Sequence, residues 1–403
     1  MSAFAMSLGV ATALGFARFS YGLILPAMKS NLHWTYLEAG SLNILNAVGY
    51  GFGAIISAPV AKRYGAKKSF RFAMAAITIL TFAPAINSSL GYLFIVRAAS
   101  GVFGAMLLVV GGAIVAHSNI RSTHRVAAGS LGIFFGGAGL GTAISGIGIP
   151  PLLHLVGNNE WQAAWILLGV LCFISLIITS VELTKLTNPT PPKDISEKAR
   201  LRSYMPSFLG YGIFGAGYIS FMTFIVAFLK QNGSSSTFVS VFYIVLGVVS
   251  VFSGFFWDRP LGALRAGWGL GATLTVIAIG TILPLVSKDQ GVVLLSAALI
   301  GLGLMAATTA ITRLAQRNSA PSQVAKILGT ATLAMAIGQS TGPLVTGYFS
   351  DTSSGLRIGM IISSAFCLIA ILITIVQKDF ALEKLTRKIR CQCDTSKEPT
   401  TFF

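Results

Sequence analysis

The sequence predicts an all-α polytopic membrane protein, with twelve transmembrane helices in two six-helix halves. Three observations carry that expectation. The 403 residues are 54% hydrophobic and only 10% charged, too apolar for a water-soluble domain. The apolar residues fall in runs of about 20, the length that crosses about 30 Å of hydrocarbon. The basic excess, 29 Lys plus Arg against 12 Asp plus Glu for a net charge of +17, gathers in alternate short loops. Such a distribution sets membrane topology, and no nucleic-acid partner is expected from it.

The first run, 4–26, follows no basic leader and reads as a span, not a removed signal. Spans at 38–60, 70–88, 92–116, 127–149 and 162–181 complete the first half, and those at 205–229, 237–257, 266–286, 291–312, 327–349 and 357–377 form the second. Loops after even-numbered spans hold Lys62, Arg63, Lys67, Lys68 and Arg71, then Arg121 and Arg125 after span four's end, and later Arg259, Arg265, Arg313 and Arg317 at the same side. That side, with both termini, is therefore expected in the cytoplasm. Trp34, Trp161 and Trp165 fall near the expected outer interface and Trp257 near the inner one.

Between the halves, Asn188-Pro189-Thr190-Pro191-Pro192-Lys193-Asp194 cannot form a span. The expected organisation is an N-terminal half at 1–181, a cytoplasmic linker at 182–204, a C-terminal half at 205–377 and a cytoplasmic tail at 378–403. A weak internal repeat agrees with it, aligning Gly15, Ser20 and Tyr21 with Gly212, Gly217 and Tyr218. The basic tail makes association with membrane lipids its simplest use. Cys172, Cys367, Cys391 and Cys393 have neither zinc nor disulfide-framework spacing. No catalytic constellation is legible, so no enzyme, cofactor or metal is expected.

Charges inside the spans are the sharpest functional signal. Arg18 lies deep in the first span and Arg97 in the fourth, whereas all the carboxylates fall in loops, span ends or the tail. An arginine at membrane depth is costly and needs a partner, which a substrate anion can supply. Its planar fork suits a carboxylate. Tyr21 stands three residues from Arg18, on the same side of a regular α-helix. Asn43, Asn46 and Tyr50 are three and four apart and share one face. In the second half, Tyr211 and Tyr218 are two turns apart, and Gln339 opens a polar run before Gly342-Pro343. Arg18, Tyr21, Asn43, Asn46, Arg97, Tyr218 and Gln339 are the candidate substrate-binding residues. For Arg97 the alternative is that it holds span four in place. Glu38 and Asp351, at outer span ends, are the carboxylates left for proton coupling, which the sequence leaves open. Gly132 and Gly136 in span five form a small-xxx-small step suited to a moving interface.

Several motifs resemble the major facilitator superfamily. The loop Ala58-Pro59-Val60-Ala61-Lys62-Arg63-Tyr64-Gly65 is similar to its signature between spans two and three, with Lys62 at the usual acidic place, and Gly254-Phe255-Phe256-Trp257-Asp258-Arg259 resembles a second copy. The resemblance implies gating roles for Gly65, Asp258 and Arg259. Gly15-Phe16-Ala17-Arg18-Phe19-Ser20-Tyr21-Gly22, Asn43 to Gly51 and Gly338-Gln339-Ser340-Thr341-Gly342-Pro343 are similar to the bacterial YbfB/YjiJ-type branch. What it implies is a secondary transporter of the bacterial inner membrane. The preferred expectation is a small organic anion, such as a carboxylate, moved by alternating access. Efflux of drug-like amphiphiles or amino-acid derivatives is one alternative, and a membrane sensor or scaffold without flux is another.

Overall fold

A computed structural model describes residues 2–118, 124–186, 201–352 and 355–379. The expected linker over 187–200, the tail over 380–403 and Arg121 lie outside the described residues. Among those described there are twelve long helices and no strand. The first, α1, is built of three consecutive pieces, Ser2–Val10, the wide π turns of Ala11–Phe19, and Tyr21–Asn31. Then come α2 (Tyr36–Tyr64), α3 (Ala66–Phe82), α4 (Leu90–Ser118), α5 (His124–Val156) and α6 (Gln162–Lys185). The second six are α7 (Met205–Gln231), α8 (Ser236–Ala263), α9 (Trp268–Val286), α10 (Gln290–Asn318), α11 (Pro321–Ser350) and α12 (Gly355–Ile375). Ten are long and apolar enough to cross a membrane. At 17 residues, roughly 25 Å, α3 falls just short of that length.

Several helices outrun their hydropathy. Lys62 and Arg63, expected in a loop, occupy the last turn of α2, and Arg313 and Arg317 lie within α10. Hydropathy marks where lipid stops, whereas a helix stops where its backbone bonding fails. For α2 that point is Gly65, whose φ of 88° is open to glycine and strained for other residues.

The opposite ends are capped by side chains. Thr35 and Glu38 form a capping box at the start of α2, Ser235 accepts from the Phe238 N–H at the start of α8, and Asp289 from the Val292 N–H at α10. Tyr36 and Ser236 thus open corresponding helices, as do Leu90 and Gln290. That offset is slightly longer than the one pairing Gly15 with Gly212.

The packing repeats as well. Within the first six, α2 packs on α4, α1 on α5 and α3 on α6, and within the second, α8 on α10, α7 on α11 and α9 on α12. Across the two sets the main contacts are α5 with α8 and α2 with α11, with α1 on α7 near the end away from the basic loops. There Asp351, just after α11, accepts from the backbone N–H groups of Tyr36 (2.7 Å) and Leu37 (2.9 Å). A carboxylate from one set therefore caps a helix of the other, adding charge to an already favourable N-terminus. Phe52, Ile79, Ile95 and Phe255 are exposed on the outside, as lipid-facing side chains are.

Two of the tryptophans expected near the outer interface face into the bundle. Trp161 and Trp165 are fully buried, the first donating Nε1–H to Asn31 Oδ1 at 3.0 Å and the second packed beside Tyr21. Their position along the chain suggested a rim, but α6 turns that face inward onto α1.

Candidate functional site

The site begins with the irregularity in α1. Over Ala11–Phe19 the backbone is wound in π turns, and the Ser20 N–H reaches back five residues to the Gly15 carbonyl at 3.1 Å. Winding of this kind changes which side chains share a face and frees carbonyls for other donors. Arg97 on α4 takes up one of them, donating from Nη1 to the Ala17 oxygen at 2.5 Å. Its Nη2 donates to Asn43 Oδ1 at 2.7 Å. Asn43 passes the connection on, its Nδ2 donating to Thr223 Oγ1 on α7 at 2.7 Å, while Asn46 Nδ2 donates to the Arg97 carbonyl at 3.1 Å. The Arg97 guanidinium also lies 5.0 Å from the Tyr21 ring centroid and 5.9 Å from that of Trp165. At 2% exposure, Arg97 is enclosed by groups that the protein itself supplies.

Arg18 sits one residue beyond Ala17 and meets different surroundings. It is 4% exposed, and its hydrogen bond within the described structure runs from Nη2 to Gln339 Oε1 on α11, at 2.6 Å. The Tyr50 ring lies 5.1 Å from the guanidinium carbon. Gln339 Nε2 donates to the Tyr218 hydroxyl at 2.7 Å. From there a wall of stacked rings follows α7 toward the basic end: Tyr218 on Phe214 at 5.1 Å, then Phe214 on Tyr211 at 6.1 Å. The Tyr211 hydroxyl is 3.0 Å from Thr308 Oγ1 on α10.

Among the described residues no carboxylate pairs with either arginine. Glu38 and Asp289 cap helices, Asp351 caps α2, Glu182 pairs with Lys185, and Asp258 pairs with Arg313. No group of His, Cys, Asp and Glu among them could hold a metal ion.

The seven expected site residues separate into two groups. Arg18, Gln339 and Tyr218 form one chain across the bundle, whereas Arg97, Asn43, Asn46 and Tyr21 form the scaffold beside it. Tyr21 does not join Arg18 as regular α-helical spacing suggested. Its hydroxyl donates to the Ala39 carbonyl at 2.6 Å and its ring faces Arg97, because the π turns and the break at Ser20 interrupt the register. Tyr50, which the sequence places on the Asn43 and Asn46 face but outside the substrate-binding set, stands beside Arg18. Thr223 and Phe214 carried no signal in an apolar run.

The expected gating residues are spread out. Gly65 forms the corner between α2 and α3. Asp258 Oδ1 accepts from Arg313 Nη2 at 2.5 Å, and Arg259 beside it is exposed. Gly132 has open space where a Cβ would stand, and Gly136 has only ordinary contact with Val251. The tight crossings of α5 fall further on, where Cβ atoms on Gly137 and Gly141 would collide with the Ser7 and Ala11 carbonyls of α1 and one on Gly139 with the Gly247 carbonyl of α8.

Two repeated helical sets meeting around a buried polar chain at mid-depth define a secondary carrier of small solutes working by alternating access. Residues 10–375 match the family described as the uncharacterised MFS-type transporter YbfB, and the chain belongs to that family of the major facilitator superfamily. It is a multi-pass membrane protein. Among curated proteins it is similar to the multidrug efflux protein YfmO of Bacillus subtilis (strain 168), 22% identical over 336 residues, which are 81% of each chain. Solved structures show the same fold. A bacterial homologue of the human lysosomal transporter Spinster, inward-facing and occupied, aligns with a TM-score of 0.69 at 15% identity, covering 93% of this chain and 96% of that one. The nucleoside transporter NupG aligns with a TM-score of 0.68 at 13% identity, covering 93% and 99%.

Proposed function

We propose that the protein exports amphipathic small molecules, whose apolar body lies along the Tyr211, Phe214 and Tyr218 wall and whose polar head meets Arg18. The observation that carries this reading is the site's composition, one arginine with a single hydrogen bond among the described residues at the head of a continuous aromatic face. Likeness to a multidrug efflux protein over most of the chain supports export of drug-like compounds. Cationic amphiphiles are the less suitable cargo, since the site presents a fixed positive charge and, among the described residues, no carboxylate. In this reading Arg97, Asn43 and Asn46 shape the site without touching the solute. The bodies that move are the halves 1–181 and 205–377, with both termini in the cytoplasm of an inner membrane. The Asp351 cap is an end contact between them, while the Gly65 corner and the Asp258 to Arg313 pair brace helices within one half each.

Expression in bacteria lacking their own efflux pumps tests the proposal. The wild-type chain raises the tolerated concentration of neutral or anionic amphiphiles, and R18Q does not. Equal protection by the two proteins removes Arg18 from the site.

A second reading keeps the unpaired Arg18 but drops the apolar body: transport of a small organic anion such as a carboxylate. Flux of acetate and benzoate into vesicles, with and without a proton gradient, separates the two readings and reports on proton coupling.

A further inference from the structure

Gln339 is placed oddly for a residue that only lines a pathway. Its amide oxygen occupies the position on Arg18 that a substrate oxygen would take, while its amide nitrogen is anchored to Tyr218. Arg18 is thereby linked to α11 and, through Gln339, to α7. The mount behind Gln339 is rigid, because Cβ atoms on Gly338 and Gly342 would collide with the Gly212 and Ala216 carbonyls of α7. A neutral amide is nevertheless a weaker partner for a guanidinium than a carboxylate, which accepts two parallel bonds.

The charge available is limited too. The two terminal nitrogens of Arg97 are committed to the Ala17 carbonyl and Asn43, leaving its buried Nε without a partner among the described residues, whereas Arg18 holds a displaceable side-chain amide. A second negative charge would find both terminal nitrogens of Arg97 already bonded, so only the field of that guanidinium, and no direct ion pair, would offset the cost of its burial. Tyr50 adds a further contact. It is half-buried beside Arg18, and its hydroxyl makes no hydrogen bond among the described residues.

We propose that Gln339 is a built-in competitor for the substrate's anionic group: the site takes a monoanion with a planar apolar body, whose carboxylate displaces the Gln339 amide oxygen from Arg18. The displaced amide keeps its nitrogen available to the ligand, and the Tyr50 hydroxyl donates to it. The link between α1 and α11 is then carried by the ligand, so the loaded and empty proteins are bridged at the same place by different atoms. The proposal rests on Arg18 being the substrate contact, as in the export reading.

The test is binding of benzoate, benzamide and phthalate to the purified full chain, read by calorimetry, with the wild type, Q339L and Q339E compared. Benzoate binds the wild type, benzamide does not, and phthalate binds about tenfold more weakly than benzoate. Q339L, freed of the competitor, binds benzoate about fivefold tighter. Q339E sets a permanent carboxylate against Arg18, so it loses benzoate binding while its melting temperature rises. That variant keeps the question answerable should Q339L fail to fold. Weaker benzoate binding by Q339L, undiminished binding by Q339E, tighter binding of phthalate, or no binding of benzoate to the wild type each overturns the proposal. Failure of the export reading shows separately, as unprotected cells expressing a protein that still binds benzoate.

Discussion

Arg97 and Arg18 are the same residue type, both buried, on adjacent helices around one stretch of α1, yet the protein treats them in opposite ways. Arg97 receives a backbone carbonyl, an asparagine oxygen and two aromatic faces. Arg18 receives one amide oxygen, from Gln339 on α11 in the other six-helix set, and one ring, from Tyr50 on α2 in its own. Depth in the membrane is therefore no guide to function by itself. What separates a structural charge from a working one is whether its acceptors are fixed on the same body.

The comparison is broken most directly at Arg97. In R97M the Ala17 carbonyl and Asn43 Oδ1 lose their donor while buried, a loss of about 3 kcal/mol in stability, seen as a lower melting temperature of the purified protein. A melting temperature equal to wild type would dissolve the distinction. For R18Q the expectation is reversed. Transport falls at least about tenfold, while stability stays within about 1 kcal/mol of wild type, measured by flux and thermal denaturation on the same preparation. The smallest effect belongs to Y21F, which removes one hydrogen bond to the Ala39 carbonyl and costs about 1 kcal/mol. Its transport rate stays at the wild-type value, and a large drop would move Tyr21 from the scaffold into the site.

Much of this division was open to view in the sequence, but not the division itself. Apolar run lengths and the placement of Lys and Arg suffice for the fold class, because a bilayer imposes both. The absence of deep carboxylates singled out Arg18 and Arg97, and the Gly-Gln-Ser-Thr-Gly-Pro run marked Gln339. Assigning the two arginines to different jobs required the winding of α1. No residue in Ala11–Phe19 announces a π turn, so Tyr21 was placed beside Arg18 by ordinary helical spacing. Glycine spacing in α5 was likewise ambiguous. The steps Gly132 to Gly136 and Gly137 to Gly141 both fit a close crossing, and only the neighbouring helices decide that Gly137 and Gly141 press on α1 and Gly139 on α8, while Gly132 stands open.

The π winding carries one more consequence, for how such a site arises. A π turn holds an extra residue relative to an α turn, so its simplest origin is a single-codon insertion. Each residue added to or taken from a regular helix rotates everything beyond it by about 100°. Relatives that differ by one residue before Ser20 will present another side chain to their counterpart of Gln339, even with every surrounding residue kept. If Arg18 meets the solute as proposed, the gene's length over a few codons, as much as its spelling, sets what such a carrier recognises.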